Sequence, residues 1–504
     1  MTNKTGKFFI SLIIFSIIFS RIIFAAEGDI IWTRTYNGPA NDWDFGYSLA
    51  VDGNGNVYVT GFVTVSLEYE DIWVRKYNSE GDELWTRTHN GTANRLDEGY
   101  GIAVDGNGNV YITGCEDVIG QGTNIWVRKY NTEGDVVWTD TYNGTANQSD
   151  CGEGIAVDGN GNVYVTGSEY KSDRERSNIW VRKYDTDGDV IWTRSYNGPA
   201  NDYDEGCGIA VDGSGNVYVT GSAAVSLEHD DIWVRKYNSE GDELWTQTHN
   251  DTANRLDEGS GIAVDGNGNV YVTGYEYVNG QDWNIWVRKY DSDGNELWTR
   301  THNGTADSED AGCDIAVDGD GNVYVVGYEA DIKEALNIWL GKYDSDGNKI
   351  WTRTYNGPAN DDDEGYGIAV DKSGNIYVTG CETVTGESFN IWVRKYEQPF
   401  GIHFKPPKEG KVKVQGGEKG YVNPLKGEVT KIHFKPSSGG TVRVKIFTLR
   451  GLLVWEKSKD VSGIQDFIEW NCRNKENSMV ASGIYVIYVE GPGIKSTKKV
   501  AILK

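Results

Sequence analysis

One block of sequence is written seven times along this chain, and that periodicity limits the fold more than any other feature. The segment AVDGNGNVYVTG begins at Ala50 and returns with small variations at Ala103, Ala156, Ala210, Ala263, Ala316 and Ala369, every 53 or 54 residues. A second signature, IWVRKY, begins at Ile72, Ile125, Ile179, Ile232, Ile285, Ile338 (as IWLGKY) and Ile391. A third, W-T-x-[ST]-[YH]-N, begins at Trp32, Trp85, Trp138, Trp192, Trp245, Trp298 and Trp351. The fourteen Trp in these signatures recur at fixed strand positions, which marks them as packing residues.

Each unit reads as four short strands. G-I-A-V-D is small and apolar; a Gly/Asn turn leads into N-V-Y-V-T-G, a hairpin signal. After a variable segment comes N-I-W-V-R-K-Y, then the turn D-S-D-G-N or N-S-E-G-D, then E-L-W-T-R-T-H-N. No stretch keeps a 3.6-residue apolar period, and 18 Trp and 30 Tyr beside only 2 Met fit an all-β chain. Four strands per unit match the blades of a β-propeller; a stacked β-solenoid is the alternative. The chain ends favour the ring. Residues 30–36 form a fourth strand with no strands before it, and the last unit stops after its third strand at Tyr396. The first strand completes the last blade only in a closed circle, which leaves no raw edge. We therefore expect a seven-bladed propeller over residues 29–396, with the Trp32 segment beside the Trp392 segment.

The D-x-x-G-N-V-Y-V-T-G core, recurring over residues 30–396, resembles the SBBP-type repeats of exported bacterial proteins. The resemblance implies a propeller and an exported location, and it carries no agreed activity or catalytic motif.

Composition shifts towards the C-terminus. Residues 397–414, with Pro399, Pro406 and Pro407, read as a linker, and 415–504 as a small Ig-like β-sandwich with strands near 441–447 and 484–489. Asn423, Pro424, Trp470, Asn474, Gly483 and Tyr485 carry a pattern that resembles the Ig-like domain of flagellar hook-capping proteins and the sorting tails of type IX export. That resemblance implies export machinery or the cell envelope as a partner. Cys472 stands where the pattern has Gly.

At the other end, Lys4 and Lys7 precede an apolar run ending at Arg21, so residues 1–26 read as an export signal. The run is too short to span a bilayer. Residues 401–504 hold 19 Lys/Arg against 9 Asp/Glu, whereas 27–400 hold 26 against 66. An acidic body of that kind repels phosphate backbones, so nucleic acid is not an expected partner; a cation, a neutral glycan or a protein is. A monomer is expected. The six cysteines, Cys115, Cys151, Cys207, Cys313, Cys381 and Cys472, form no CxxC pair and no disulfide framework, and are expected to be mostly unpaired, although export permits a bridge.

Two acidic patterns invite chemistry. Asp105, Asn107 and Asn109, and Asp291, Asp293 and Asn295, place oxygens at alternate positions as calcium loops do. Both have Gly at the fourth position rather than the sixth and lack a regular twelfth-position carboxylate, so hairpin turns are the better reading and calcium the alternative. The second pattern precedes each first strand: Asp42/Asp44, Asp97/Glu98, Asp150/Glu153, Asp202/Asp204/Glu205, Asp257/Glu258, Asp307/Glu309/Asp310 and Asp361–Glu364; a solvated acidic rim is the plainer reading of it, and a metal or polyhydroxylated ligand the alternative. In a propeller these loops share a face with the variable loops after VYVTG. Asp44, Glu98, Glu205, Glu258 and Glu364 are the ligand-binding candidates there, with Trp43, Tyr203 and Trp283 as aromatic partners that could stack on sugars. Tyr170, His229 and the run Lys171, Arg174, Arg176 are further one-off residues on that face.

Catalysis demands one asymmetric constellation, and near-copies place like residues on a circle. His89, His249 and His302 replace a repeat Tyr on outer strands, and no G-x-S-x-G, H-E-x-x-H or P-loop occurs. The expected function is thus a secreted or cell-surface binding module for a glycan or protein. A secreted polysaccharide-active enzyme using channel-mouth carboxylates, or a scaffold without small ligand, are the alternatives.

Overall fold

The computed structural model describes residues 29–397, except 67–68, 227–228, 251–254 and 333–334, and in the C-terminal part residues 411–415, 422, 424, 429–448, 451–462, 466–475 and 477–502. The expected export signal lies outside the described residues.

Seven four-stranded antiparallel sheets make up the repeat region. Blade 1 consists of Asp44–Val51, Val57–Ser66, Tyr69–Tyr77 and Glu83–His89, in that order from axis to rim. Blades 2 to 6 repeat this order, beginning at Glu98, Cys151, Glu205, Glu258 and Asp310. Blade 7 takes Asp363–Val370, Ile376–Val384 and Ser388–Glu397 from the C-terminal side, and Asp29–Tyr36 as its outermost strand. Thr35 lies opposite Trp392 and Trp32 opposite Lys395, which is the closure the chain ends called for. Each first strand packs against the first strand of the next blade, and that of blade 7 against that of blade 1.

The core is divided into slabs between blades. Tyr58, Ile72, Val74 and Trp85 of blade 1 pack on Ile102, Val110, Ile112 and Trp126 of blade 2. Trp32, Tyr377, Ile391 and Val393 of blade 7 do the same against Val57, Val59 and Trp73 of blade 1. The polar ends of the signatures sew the slabs together. Trp85 Nε1 and Lys76 Nζ both donate to the Thr132 carbonyl of the next blade, each at 3.1 Å, and Lys76 sits over the Tyr58 ring. At the seam Trp32 and Lys395 make the same pair of bonds to Ser79. Burial of the aromatic rings supplies the attraction, and these bonds fix the rotation of blade on blade.

The outer-strand histidines belong to this stitching. His89, His249 and His302 stack on Trp126, Trp286 and Trp339 and meet Glu116, Glu276 and Glu329 at 3.0, 2.9 and 2.7 Å. Where the repeat keeps tyrosine, Tyr142 and Tyr355 donate to Glu169 and Glu382 instead. One disulfide, Cys115–Cys151, joins blade 2 to blade 3; Cys207, Cys313, Cys381 and Cys472 are free, in keeping with mostly unpaired thiols.

The C-terminal strands form two further sheets. One holds Lys411–Gln415, Thr430–Lys435 and Asp466–Trp470; the other Leu453–Ser462, Gly439–Thr448, Gly483–Gly491 and Ile494–Ile502. Ile432, Phe434 and Trp470 of the first share a core with Val444, Ile446 and Ile487 of the second, a small β-sandwich. Its first strand starts at Lys411, four residues inside the expected linker, because Val412 and Val414 give that segment an apolar face to bury. Cys472 is buried with φ of 58°, the left-handed conformation that glycine would take without cost.

Candidate functional site

The innermost strand of every blade carries an irregularity at the same place. In blade 1 Gly46 pairs with Gly61 and Ser48 with Thr60, so Tyr47 is an extra, unpaired residue. The same register shift falls at Tyr100, Glu153, Cys207, Ser260, Cys313 and Tyr366. A bulge re-aims the side chain it inserts, and here all seven bulged residues line one cavity of about 560 Å³ on the ring axis.

Glycines on either side make this possible. A Cβ on Gly61 would sit 1.8 Å from the Phe45 carbonyl oxygen, and one on Gly99 2.4 Å from Thr60 Oγ1 of the preceding blade. The glycine before each bulged residue thus lets neighbouring blades approach, and a second glycine follows the bulge in five of the seven blades, with Ser48 and Asp314 in the other two.

The cavity has two kinds of wall. From blades 7, 1 and 2 come aromatic rings: Tyr47 stacks on Tyr100 at 4.9 Å and meets Tyr366 at 5.4 Å, backed by Phe45, Phe62 and Phe389. Glu153 and Glu258 come from blades 3 and 5, and Glu364 and Asp314 complete the acidic lining. Tyr100 donates to Glu98, Tyr366 to Glu364 and Tyr275 to Glu258, the last at 3.1 Å. Asp314 is tied down by the amides of Ile315 and Ile368 at 2.8 and 2.9 Å.

Desolvation raises these carboxyls, and like charges add to it. Glu153 is pushed well up by burial, then by Glu205, Glu98 and Glu258. Burial and the neighbouring Glu258 lift Glu205 to about 7, and burial lifts Asp314 to about 7 against its two amide bonds. Burial raises Glu70 to about 7 as well, with Glu98 the next cause. Burial and crowding thus favour the protonated forms of these carboxyls.

The sequence candidates divide. Glu205, Glu258 and Tyr203 come together in a smaller pocket of about 170 Å³ at the channel mouth, with Tyr275 in its wall and Trp283 packed on Tyr275 at 5.5 Å. Tyr203 is 55% exposed, with the Arg176 guanidinium over its ring. Glu98 and Glu364 also face the axis, on the aromatic side. Trp43 is 53% exposed and leans edge-on against Phe389. Among the other one-off residues, Tyr170 donates to Asp173 and Lys171 pairs with Glu169, both within their own blade.

Asp44 is a correction. Its carboxylate is fully buried and accepts from the amide of Gly38 and, at 3.0 Å, from that of Thr64. Asp97, Asp150, Asp204, Asp257, Asp310 and Asp363 are buried likewise. They hold the loop after VYVTG, for example Asp204 to Ala224 at 2.8 Å, and in the Asp204 case also the entering loop at Gly198, and their burial keeps them from a ligand. That contact also places the two loop sets on one face, as expected.

The Asp105 and Asp291 loops have the geometry of the turns preferred for them. Asp105 Oδ1 accepts from the amides of Asn107 and Asn109, both at 2.9 Å, while Oδ2 accepts from Asn109 Nδ2 and the Tyr111 hydroxyl. Asp291 Oδ1 likewise accepts from the amides of Asp293 and Asn295, and its Oδ2 from Asn295 Nδ2, without a tyrosine hydroxyl among the described residues. These carboxylates cap their own turns, with Gly108 and Gly294 at φ of 84° and 85°. The Asp105 turn lies at the end of its strand opposite the glutamates.

Tyr47, Tyr100, Cys207, Cys313, Tyr366 and Asp314 were not singled out from sequence. The signal was present, because the glycine before this residue repeats in all seven blades while the residue itself is Tyr, Glu, Cys or Ser.

The sequence profile of the SBBP beta-propeller repeat matches residues 31–61, 87–114, 141–168, 191–228, 245–275 and 350–380. No curated protein matches the chain. Among solved structures, PorZ, a surface component of the type-IX secretion system of Porphyromonas gingivalis, is 14% identical with a TM-score of 0.42, over 92% of this chain and 60% of its own. This chain therefore spans three fifths of the length of that protein. The β-propeller domain of the Trilobed protease from Pyrococcus furiosus is 10% identical with a TM-score of 0.40, over 71% of this chain and 98% of its own. An α-L-arabinofuranosidase of Fusarium graminearum is 11% identical with a TM-score of 0.36, over 58% and 92%.

Proposed function

We propose that this chain is a non-enzymatic binding module that acts outside the cytoplasm and takes a glycan or protein ligand at the glutamate-bearing mouth of its channel. One observation carries the reading: seven near-identical units place four residue types, Tyr, Glu, Cys and Ser, at the bulged position, and that position lines a single cavity. A purely structural ring has no need for such variation, because blade packing uses the residues that repeat. The mouth pocket adds exposed Tyr203 beside Glu205 and Glu258, a flat apolar face next to hydrogen-bond acceptors, which suits polyhydroxylated ligands. The basic and apolar residues of 1–26 support export, and the tail pattern supports attachment through the C-terminal sandwich.

The test is a glycan and matrix-protein array with the intact chain and with Glu205→Gln/Glu258→Gln. Binding by the parent and its loss in the variant support the reading. No retained ligand on any array member overturns it. A second reading rests on the raised carboxyls: Glu205 at about 7 beside Glu258 resembles an acid and base pair. Reducing-sugar release that disappears in the same variant would favour a polysaccharide-active enzyme instead.

A further inference from the structure

The axial cavity carries a charge problem that the rest of the molecule does not solve. Among the described residues lining it there is no Lys, Arg or His, although Glu153, Glu258, Glu364 and Asp314 all do so. The basic residues of the repeat are spent elsewhere. Arg75 lies over the Tyr36 ring at 4.2 Å and bonds Thr86, and Lys76 bonds Thr132. Glu153 has no hydrogen-bond partner among the described residues. Its bulge aims it at the axis, its carboxylate lies within 4.8 Å of the Cys115 and Cys151 sulfurs, and the carboxyls of Glu205, Glu98 and Glu258 act on it from around the ring.

The opposite wall answers with π-faces. Tyr47, Tyr100 and Tyr366 cluster on the axis, and the hydroxyls of Tyr100 and Tyr366 donate to carboxylates, which makes the rings richer in electrons. Carboxylates set among aromatic faces, with Tyr275 and Tyr328 also in the lining, are what an organic cation selects. A bare metal ion needs far less room than about 560 Å³ and gains nothing from the rings.

We propose that the channel receives a protonated amine, whose ammonium lies among Glu153, Glu258 and Glu364 and whose alkyl part lies against Tyr47, Tyr100 and Tyr366. This rests on the reading of the chain as a binding module and names the chemistry of one part of its ligand. The amine is either a free alkyl di- or polyamine or the side chain of a lysine on a protein partner.

Calorimetric titration of the intact chain tests this with 1,5-diaminopentane, with 1,5-pentanediol as its uncharged match, with a lysine-bearing pentapeptide and its alanine counterpart, and with calcium chloride. We expect the diamine to bind at least tenfold tighter than the diol, and Glu153→Gln and Tyr47→Leu each to weaken it at least fivefold. Peptide binding that depends on the lysine assigns the source to a protein, and diamine binding alone assigns it to a free amine. Equal affinity for diol and diamine, or calcium binding that Glu153→Gln abolishes while the diamine is ignored, overturns the proposal. Should neutral array ligands bind while amines do not, only this inference fails; should nothing bind, the module reading fails with it.

Discussion

Replacing Asp44 by alanine separates a staple from a ligand residue. The side chain is fully buried, and its two oxygens hold the amides of Gly38 and Thr64 on two different loops. Alanine leaves both N–H groups buried without an acceptor, at about 1–3 kcal/mol each, so the loss should be about 4 kcal/mol. Asparagine keeps one acceptor and turns an NH2 group towards the other amide, for about 2 kcal/mol. The pH dependence gives an independent check. Burial pushes Asp44 up to about 6 from 3.8, against the pull of its amide bonds, so between those values the folded chain holds the proton that the unfolded chain has released. The stability contributed by this group therefore rises as pH falls from about 6 towards 4, by up to about 3 kcal/mol. The asparagine variant lacks that slope. Urea unfolding followed by tryptophan fluorescence at pH 7.5 and pH 5 measures all three chains. An alanine variant within 0.5 kcal/mol of the parent, yet defective in ligand capture, would refute the staple and return Asp44 to the binding face.

Four further outcomes follow from the same geometry. Trp32→Ala removes a buried ring and the Ser79 bond at the seam, and should cost about 3–5 kcal/mol with concentration-dependent light scattering as the last blade frays. Cys115→Ser opens a bridge between positions 36 residues apart, which chain entropy sets at about 3–4 kcal/mol; an unchanged urea midpoint would contradict it. Across the whole propeller, Glu205 and Asp314, each raised to about 7, add stability as pH drops through 7 towards the unfolded values. Burial also acts on the turn residues Asp52, Asp105, Asp158, Asp212 and Asp265, but their Asn and backbone bonds leave them lowered below 3.8, so their contribution disappears in stronger acid. A stability maximum between pH 4 and 6 is the result, and a midpoint that climbs steadily to pH 8 would oppose it. Calcium or chelator should leave the melting temperature unchanged, because Asp105 and Asp291 are saturated by their own turns; a rise of several degrees would reinstate the calcium reading.

Strand count, blade order and ring closure could be read from the chain because they depend on local pattern and on counting. Three signatures repeated seven times, with a stray strand at one end and a missing one at the other, admit few arrangements. The acidic loops were legible as composition, but Asp44 and Glu98 look alike in sequence. Asp44 faces two loop amides and Glu98 the axis, a distinction of side-chain direction that no one-dimensional pattern encodes. The disulfide escaped for a related reason, since Cys115 and Cys151 meet across two blades whose rotation is set by the buried aromatic slabs.

By itself the sequence determined that this is an all-β ring of seven units, because periodic hydrophobicity and turn residues act within a few residues of where they are written. Only the tertiary structure decided which carboxyls meet. A one-residue bulge in each inner strand turns the residue after a repeat glycine towards a common axis, and residues about 53 apart in the chain become neighbours there. Proximity of that kind comes from closing the circle, and so do the raised proton affinities that follow from it.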